Sequence, residues 1–520
     1  MVLNMTSTQH HPFLVETTSG LVLGHAETGT VAFRGIPYAQ PPIGQLRFRQ
    51  AQPVEPWSGV LKANANGPQT PQFRNKKVGY TGQEDALWLN VVIPRGRATN
   101  VGHEGINPQA RRPIVIFIHG GSNVHGSAAD PLYSGEHFAA ATDSIVVTVN
   151  YRLGMFGQIN LSAGSPSAAL PEPNQFDANA GLSDLVTAIE WVHANAEAFG
   201  GDPDRVTIMG ESSGGAMVAA LCAVPRVRPL LAGAIAQSPA AAMIHTEETV
   251  QPWIEQATRL LRKIDPRGER ATFHDASQRT LVDLTEALTS HSLNHTPGIA
   301  GPFAPFIDGD LLPQHPLAPG AQTGLPLLAG VNQHEYQMMR WEARTTRTQQ
   351  QRLRAFAGTF GGGAAKKVLT DLYADGSSRR KGGLYFGDAL FVGPTHQLLR
   401  NHPTGEAWTY RLDMLTPSLK ASGIGALHAL DLPILFQRYD AGKGPIALAL
   451  GGRGTMQRTT EVMQQRWKNF IHHQDPGFPR YTDHYATQVF SGQLNLPEVT
   501  LYDPDSAVRE AWSTVDFTVS

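Results

Sequence analysis

One cysteine, Cys222, stands in 520 residues, so no intrachain disulfide and no thiolate metal cluster can form. Cys222 lies ten residues after Ser212 on an expected helix, where it reads as a buried apolar filler. No window is long and apolar enough to span a bilayer. The stretch Met1 to Gly20 is polar and lacks an apolar core of signal-peptide length. No charge bias exists either: 42 basic against 44 acidic residues leave a net charge of −2, which points to neither nucleic acid nor an anionic membrane as partner. There is no H-E-x-x-H, and the paired His10-His11 falls in an expected flexible tail, residues 1–12, so no metal site is predicted. Gly451-Gly452-Arg453-Gly454 lacks the Lys-Ser/Thr ending of a phosphate loop and reads as plain loop. These absences predict a soluble cytoplasmic protein. No internal repeat is visible, and 41% hydrophobic composition suffices for one large core over residues 13–520.

What is present is a series of short apolar, β-branched runs alternating with helical periodicity. Ile114–Ile118 and Ile145–Val149 are apolar throughout, as in parallel strands covered on both faces. Asn179 to Val192 carries apolar residues at helical spacing and stops at Gly200-Gly201-Asp202-Pro203, just before the run Val206–Met209. Strand, helix, strand in that order is a βαβ unit, and the fold class is α/β. Leu325–Val331 and Ala407–Leu412 read as later strands. Helical material from about Thr249 to Leu293 would cover the sheet or cap a site. Loops are expected at Arg95–Arg112, Ser162–Asn174, Gly361–Gly363 and Ala441–Thr455.

Gly210-Glu211-Ser212-Ser213-Gly214 follows the run Val206–Met209 and precedes the small-residue helix beginning near Gly215. G-x-S-x-G between strand and helix is a nucleophile elbow, which lifts Ser212 clear of the sheet beside a helix N-terminus. A serine nucleophile needs a base, an orienter for that base and donors for the oxyanion. The expected strand Ile114–Ile118 ends in His119-Gly120-Gly121-Ser122, a loop whose glycines let successive amides face one point. The acid belongs at the end of a strand after Ser212. Glu335 fits, and Asp308 and Asp310 are its rivals, although their Asp-Gly spacing reads more simply as a turn. For the base, chain order admits His396, His402, His428, His472, His473 and His484; His428 sits in a small-residue loop, and a helix face accounts for His472 and His473.

Several further segments, in this order, make the chain resemble the type-B carboxylesterases, the cholinesterase and carboxylesterase branch of the α/β-hydrolase fold, in their bacterial form. They are Phe33–Phe48, Glu84–Val91, Asn150–Gly154, Phe199–Pro203, the elbow and Ala234–Ser238. The resemblance implies a large, mixed, mostly parallel sheet covered by helices, with helical insertions over the active site. It implies Ser212 as nucleophile, Glu335 as acid and His428 as base. Oxyanion donors would be the amides of Gly121, Ser122 and Ser213, with Gly120 and Ser238 supporting. The expected activity is hydrolysis of small carboxylic esters through an acyl-enzyme, without cofactor, by a monomer or weak homodimer; a carbamate or aryl-amide hydrolase is the alternative, and a non-catalytic binding protein on the same fold the remote one. The chain departs from the family pattern too. Thr70 and Ala86 replace a cysteine pair found in secreted members, Ser122 replaces a third glycine, and Ser213 stands where alanine is common. The segment Thr70–Ala86 also lacks the tryptophan that helps cholinesterases hold a quaternary ammonium.

Overall fold

A computed structural model describes residues 11–95, 106–165, 167, 169–170, 175–292, 301–337, 346–359 and 362–518. The apolar runs join into one eleven-stranded sheet. In chain order its strands are β1 (His25–Glu27), β2 (Thr30–Pro37), β3 (Trp88–Pro94), β4 (Arg112–Ile118), β5 (Ile145–Val149), β6 (Gly201–Glu211), β7 (Gly233–Gln237), β8 (Leu327–Asn332), β9 (Ala407–Leu412), β10 (Ala486–Phe490) and β11 (Glu498–Tyr502). Across the sheet the order is β11-β10-β9-β8-β7-β6-β4-β5-β3-β2-β1. Every pairing from β10 to β5 is parallel, while β3, β2, β1 and β11 complete the two ends antiparallel. Both faces of the central strands are covered, which is why those strands carry no polar alternation. In β4, Ile114, Ile116 and Ile118 enter one core cluster, and Val115 and Phe117 enter a second on the opposite face.

The helices that matter for the site are α1 (Ala180–Asn195), α2 (Ser213–Leu221), α3 (Glu247–Ile264), α4 (Gln278–Ser292), α5 (Arg379–Gly387), α6 (Gly393–Arg400), α7 (Arg453–His473) and α8 (Ser506–Ser513). The expected helical stretch after Thr249 is thus two helices, α3 and α4. Thr246 caps α3, its hydroxyl accepting from Thr249 N while the Thr249 hydroxyl answers Thr246 N. Together α3 and α4 bury a separate cluster that includes Trp253, Phe273 and Val124, so the insertion packs beside the loop that follows β4.

Several boundaries differ from the expected ones, and of the expected loop Ser162–Asn174 residues 166, 168 and 171–174 lie outside the described residues. Gly200-Gly201-Asp202-Pro203 is only in part a stop signal: Gly200 turns the chain at φ 77°, but Gly201 already pairs with Arg112 in β6 before the register shifts. Ala441–Thr455 is not a continuous loop, because Gly444–Leu448 is helical and α7 begins at Arg453. Of Gly361–Gly363, Gly361 lies outside the described residues and the other two open the helix Gly362–Tyr373. Glycine costs a helix little at its first turn, where the amides lack intrahelical partners anyway. In Arg95–Arg112 a short turn occupies Pro108–Ala110 and Arg112 already belongs to β4; residues 96–105, like the tail residues 1–10, lie outside the description. Cys222 closes α2 and is buried, which pushes its thiol up to about 12.

Candidate active site

The elbow is a turn between β6 and α2 at which backbones come into contact. A Cβ on Gly210 would lie 2.5 Å from the Gly214 carbonyl oxygen, and one on Gly214 would lie 2.2 Å from that of Ile118. Glycine is therefore dictated there by close approach. Ser212 itself sits at φ 60°, ψ −122°, a region that costs a residue with a side chain roughly 1–3 kcal/mol. Hydrogen bonds on both sides hold it: Ser212 N donates to Gln237 O at 3.0 Å, and Ser212 O accepts from Ala216 N at 2.9 Å.

Six histidines satisfied chain order, and one reaches Ser212. His428 Nε2 lies 2.9 Å from Ser212 Oγ, and His428 Nδ1 lies 2.6 Å from Glu335 Oε2. The other Glu335 oxygen accepts from Ser238 Oγ and from Asn332 N, each at 2.6 Å. Glu335 stands just beyond the end of β8, and its carbonyl accepts from His428 N at 3.1 Å, so the two residues are tied through backbone as well. Three of the other five are engaged elsewhere: His396 with Tyr481, His402 with the Leu325 carbonyl and His472 with the Thr142 carbonyl, at 3.0, 2.8 and 2.8 Å. Asp308 accepts from Asp310 N and Leu312 N, the turn its spacing predicts, and lies away from His428 in the hydrogen-bond network.

After β4 the chain turns back on itself at His119-Gly120-Gly121-Ser122. Gly121 has φ 121° and a Cβ there would lie 2.1 Å from the His125 carbonyl oxygen; a Cβ on Gly120 would lie 2.7 Å from that of Glu211. The first glycine lets the loop lie against the elbow and the second lets it fold. Val124 N and His125 N both donate to Gly121 O, and the amides of Gly121, Ser122 and Ser213 are left without a backbone acceptor among the described residues. Ser122 and Asn123 adopt left-handed φ values of 57° and 59°, and Ser122 is exposed. Ser213 contributes more than its amide. Its hydroxyl accepts from Asn123 N at 3.2 Å, while the Tyr151 hydroxyl donates to His119 O at 2.8 Å in the same loop. An alanine at 213 would leave the elbow and the loop without that link.

Three side chains of the site were not singled out from sequence. Glu211 Oε1 lies 3.2 Å from His428 Nε2, on the side of the ring that faces Ser212. Phe391 stacks on the imidazole at 4.4 Å with planes 24° apart. Asp431 is buried and accepts from Gln237 Nε2 at 2.6 Å and Tyr410 at 3.1 Å. Glu211 was legible as a charged residue at the inner end of an apolar strand, beside the serine. Phe391 and Asp431 carry no such signal, because nothing in their local sequence ties them to the elbow.

The charge balance follows. Burial pushes the Glu211 carboxyl up, to about 8, with Asp431 and Glu335 adding to the effect and His428 opposing it. For His428, burial alone would lower the pKa, but Glu211, Glu335 and Asp431 surround one imidazole and raise it, to about 9. Because three carboxyl groups face one cation, the upward direction for His428 is the robust one. With His428 as general base, the ring works only when deprotonated, so an activity limb would move the same way. The kcat/KM of a neutral acyl substrate should then rise with pH through a midpoint above the ordinary ~6.5 of histidine. Glu211→Gln, which removes one of those charges, should lower that midpoint. A wild-type midpoint at or below 6.5, or no movement in the variant, contradicts this electrostatic account.

Residues 11–496 match the model of the carboxylesterase family. Over 514 residues the chain is 30% identical to the para-nitrobenzyl esterase of Bacillus subtilis (strain 168), covering 96% of this chain and 98% of that protein. It is 29% identical over 474 residues to the phenmedipham hydrolase of Pseudarthrobacter oxydans, covering 89% and 90%. Among solved structures, a thermophilic para-nitrobenzyl esterase superposes with a TM-score of 0.81 at 29% identity, over 96% of this chain and all of that one.

Proposed function

The chain belongs to the carboxylesterase family and is a carboxylic-ester hydrolase of the α/β-hydrolase fold, and from that premise we propose that Ser212 is its nucleophile, His428 its general base and Glu335 the acid that orients the base. The observation that carries the assignment is the continuous relay of 2.9 and 2.6 Å from Ser212 Oγ through the imidazole to Glu335. In this reading Ser212 Oγ attacks the ester carbonyl as its proton passes to His428 Nε2. The resulting oxyanion accepts from the amides of Gly121, Ser122 and Ser213, and losing one such donor costs roughly 3–4 kcal/mol of transition-state stabilisation. Collapse of the tetrahedral adduct expels the alcohol, which takes the proton from His428. Water, deprotonated by the same ring, then releases the acid and restores Ser212. Glu335 keeps Nδ1 protonated and stabilises the imidazolium, and Ser238 and Asn332 hold Glu335 in place. No step calls for a cofactor. The same machinery acts on carbamates and aryl amides in principle, but the comparisons favour carboxylic esters.

The substrate is a small-molecule ester. Among the described residues no helix is long and apolar enough to cross a membrane. We place the protein in the cytoplasm on the strength of its lone buried thiol and of Thr70 and Ala86 at the positions of the missing cysteine pair. A monomer or weak homodimer, folded as one domain over 13–520, is the assembly we propose; one core cluster running from Phe13 to Phe517 supports the single domain. The test of the site is covalent. A fluorophosphonate should attach with a stoichiometry near one, on the peptide carrying Ser212, and activity should fall in proportion to labelling. Label on another serine, or full labelling with activity retained, refutes the assignment.

A further inference from the structure

Behind the proposed triad, a cavity of about 360 Å³ separates strands β8–β10 from helices α5, α6 and α8. Small-molecule pockets span roughly 300–1,000 Å³. Asn332, His334, Thr395 and Thr487 supply polar wall. Leu372, Leu384, Val392 and Val508 supply apolar wall.

The charges select among ligands. Arg411 is already closed off by Asp413 and Asp505. Arg380 and Lys381 line the cavity from exposed positions at the start of α5, and neither has an ion-pair partner among the described residues. Asp388 accepts from the Tyr373 hydroxyl, and burial pushes its carboxyl up to about 7, which reduces the negative charge it presents near neutrality. The lip is therefore cationic and the wall mixed, with apolar surface beyond it.

We infer that this cavity is a second binding site, for a medium-chain monocarboxylate whose head pairs with Arg380 and Lys381 and whose chain lies along Leu384, Val392 and Val508. The inference is independent of the roles given to the triad. Its walls nevertheless bear on that triad. Asn332, which lines the cavity, donates its backbone N–H to Glu335, and Asp388 to Val392 form the π-helical turn that carries Phe391 onto His428. Occupancy should therefore lower kcat and leave KM for a small ester unchanged.

Octanoate is the probe, titrated by calorimetry into the full-length protein before and after fluorophosphonate treatment, with the extent of labelling read separately by mass. Binding should survive labelling. The double variant Arg380→Ala/Lys381→Ala should weaken it about tenfold, the scale of losing charge-assisted bonds. Val508→Trp, which fills the cavity from a surface helix, should abolish binding and with it the dependence of kcat on octanoate. Absence of binding, binding lost on labelling, binding indifferent to both variants, or inhibition purely competitive with the ester would each overturn the proposal.

Discussion

Ser212→Ala should lose about 10⁴- to 10⁶-fold in turnover while melting close to the wild type. That loss corresponds to roughly 5–8 kcal/mol of transition-state stabilisation. The fold should survive because the substitution removes little that holds the elbow together. The turn rests on Ser212 N with Gln237, on Ser212 O with Ala216, and on the glycine contacts at Gly210 and Gly214, none of which involves the hydroxyl. Alanine meets the same backbone strain at φ 60° as serine does, so that cost is unchanged. Steady-state kinetics and thermal melts on the same preparation decide the matter. More than a few per cent of residual turnover, with contaminating esterase excluded by active-site titration, means another residue is the nucleophile.

His428→Ala should match Ser212→Ala in rate, and the double variant should lie within a small factor of either single one, since the residues act as a unit. Its stability should differ from that of Ser212→Ala. Removing the imidazole leaves Glu211 and Glu335 buried beside each other with no cation, and breaking a buried pair costs roughly 3–5 kcal/mol. That penalty should appear as a lower melting temperature for His428→Ala than for Ser212→Ala at the same pH. Equal melting temperatures would mean that the carboxylates do not depend on His428. Within the same series, Glu335→Gln should impair turnover far more than Asp308→Asn. Asp308 serves its own turn and Asn179 Nδ2, so its loss belongs in stability. The reverse ranking would reassign the acid.

Much of the architecture was legible before any coordinate, because local rules imposed it. Apolar runs without alternation read as strands covered on both faces, and β4, β5, β6, β8 and β9 lie where strands were expected. The elbow was legible for the same reason: Gly210 and Gly214 are required wherever a strand turns into a helix against neighbouring carbonyls, so a local steric demand is written in local sequence. Boundaries were less legible. Gly201 reads as a terminator yet pairs with Arg112, and Arg453-Gly454 reads as loop yet opens α7, because pairing and packing from distant segments outweigh a propensity of about 1 kcal/mol.

By itself, then, the sequence determined the strands, the elbow with its serine, the glycine loop after β4 and the shortlist of acids and bases, since each of these depends on neighbours a few residues away. Resemblance narrowed the shortlist to Glu335 and His428. Only the tertiary structure decided what depends on charge and contact across long separations. It brought His428 to Ser212 across 216 positions and placed Glu335 on the other ring nitrogen across 93. It crowded Glu211 and Asp431 around a single imidazole, which is why that base is expected to titrate above 6.5. It used the Ser213 hydroxyl to link the elbow to the loop, and it laid Phe391 across the ring. Electrostatic energy depends on distance in space and on the water excluded between charges, and neither quantity is carried by the order of residues along the chain.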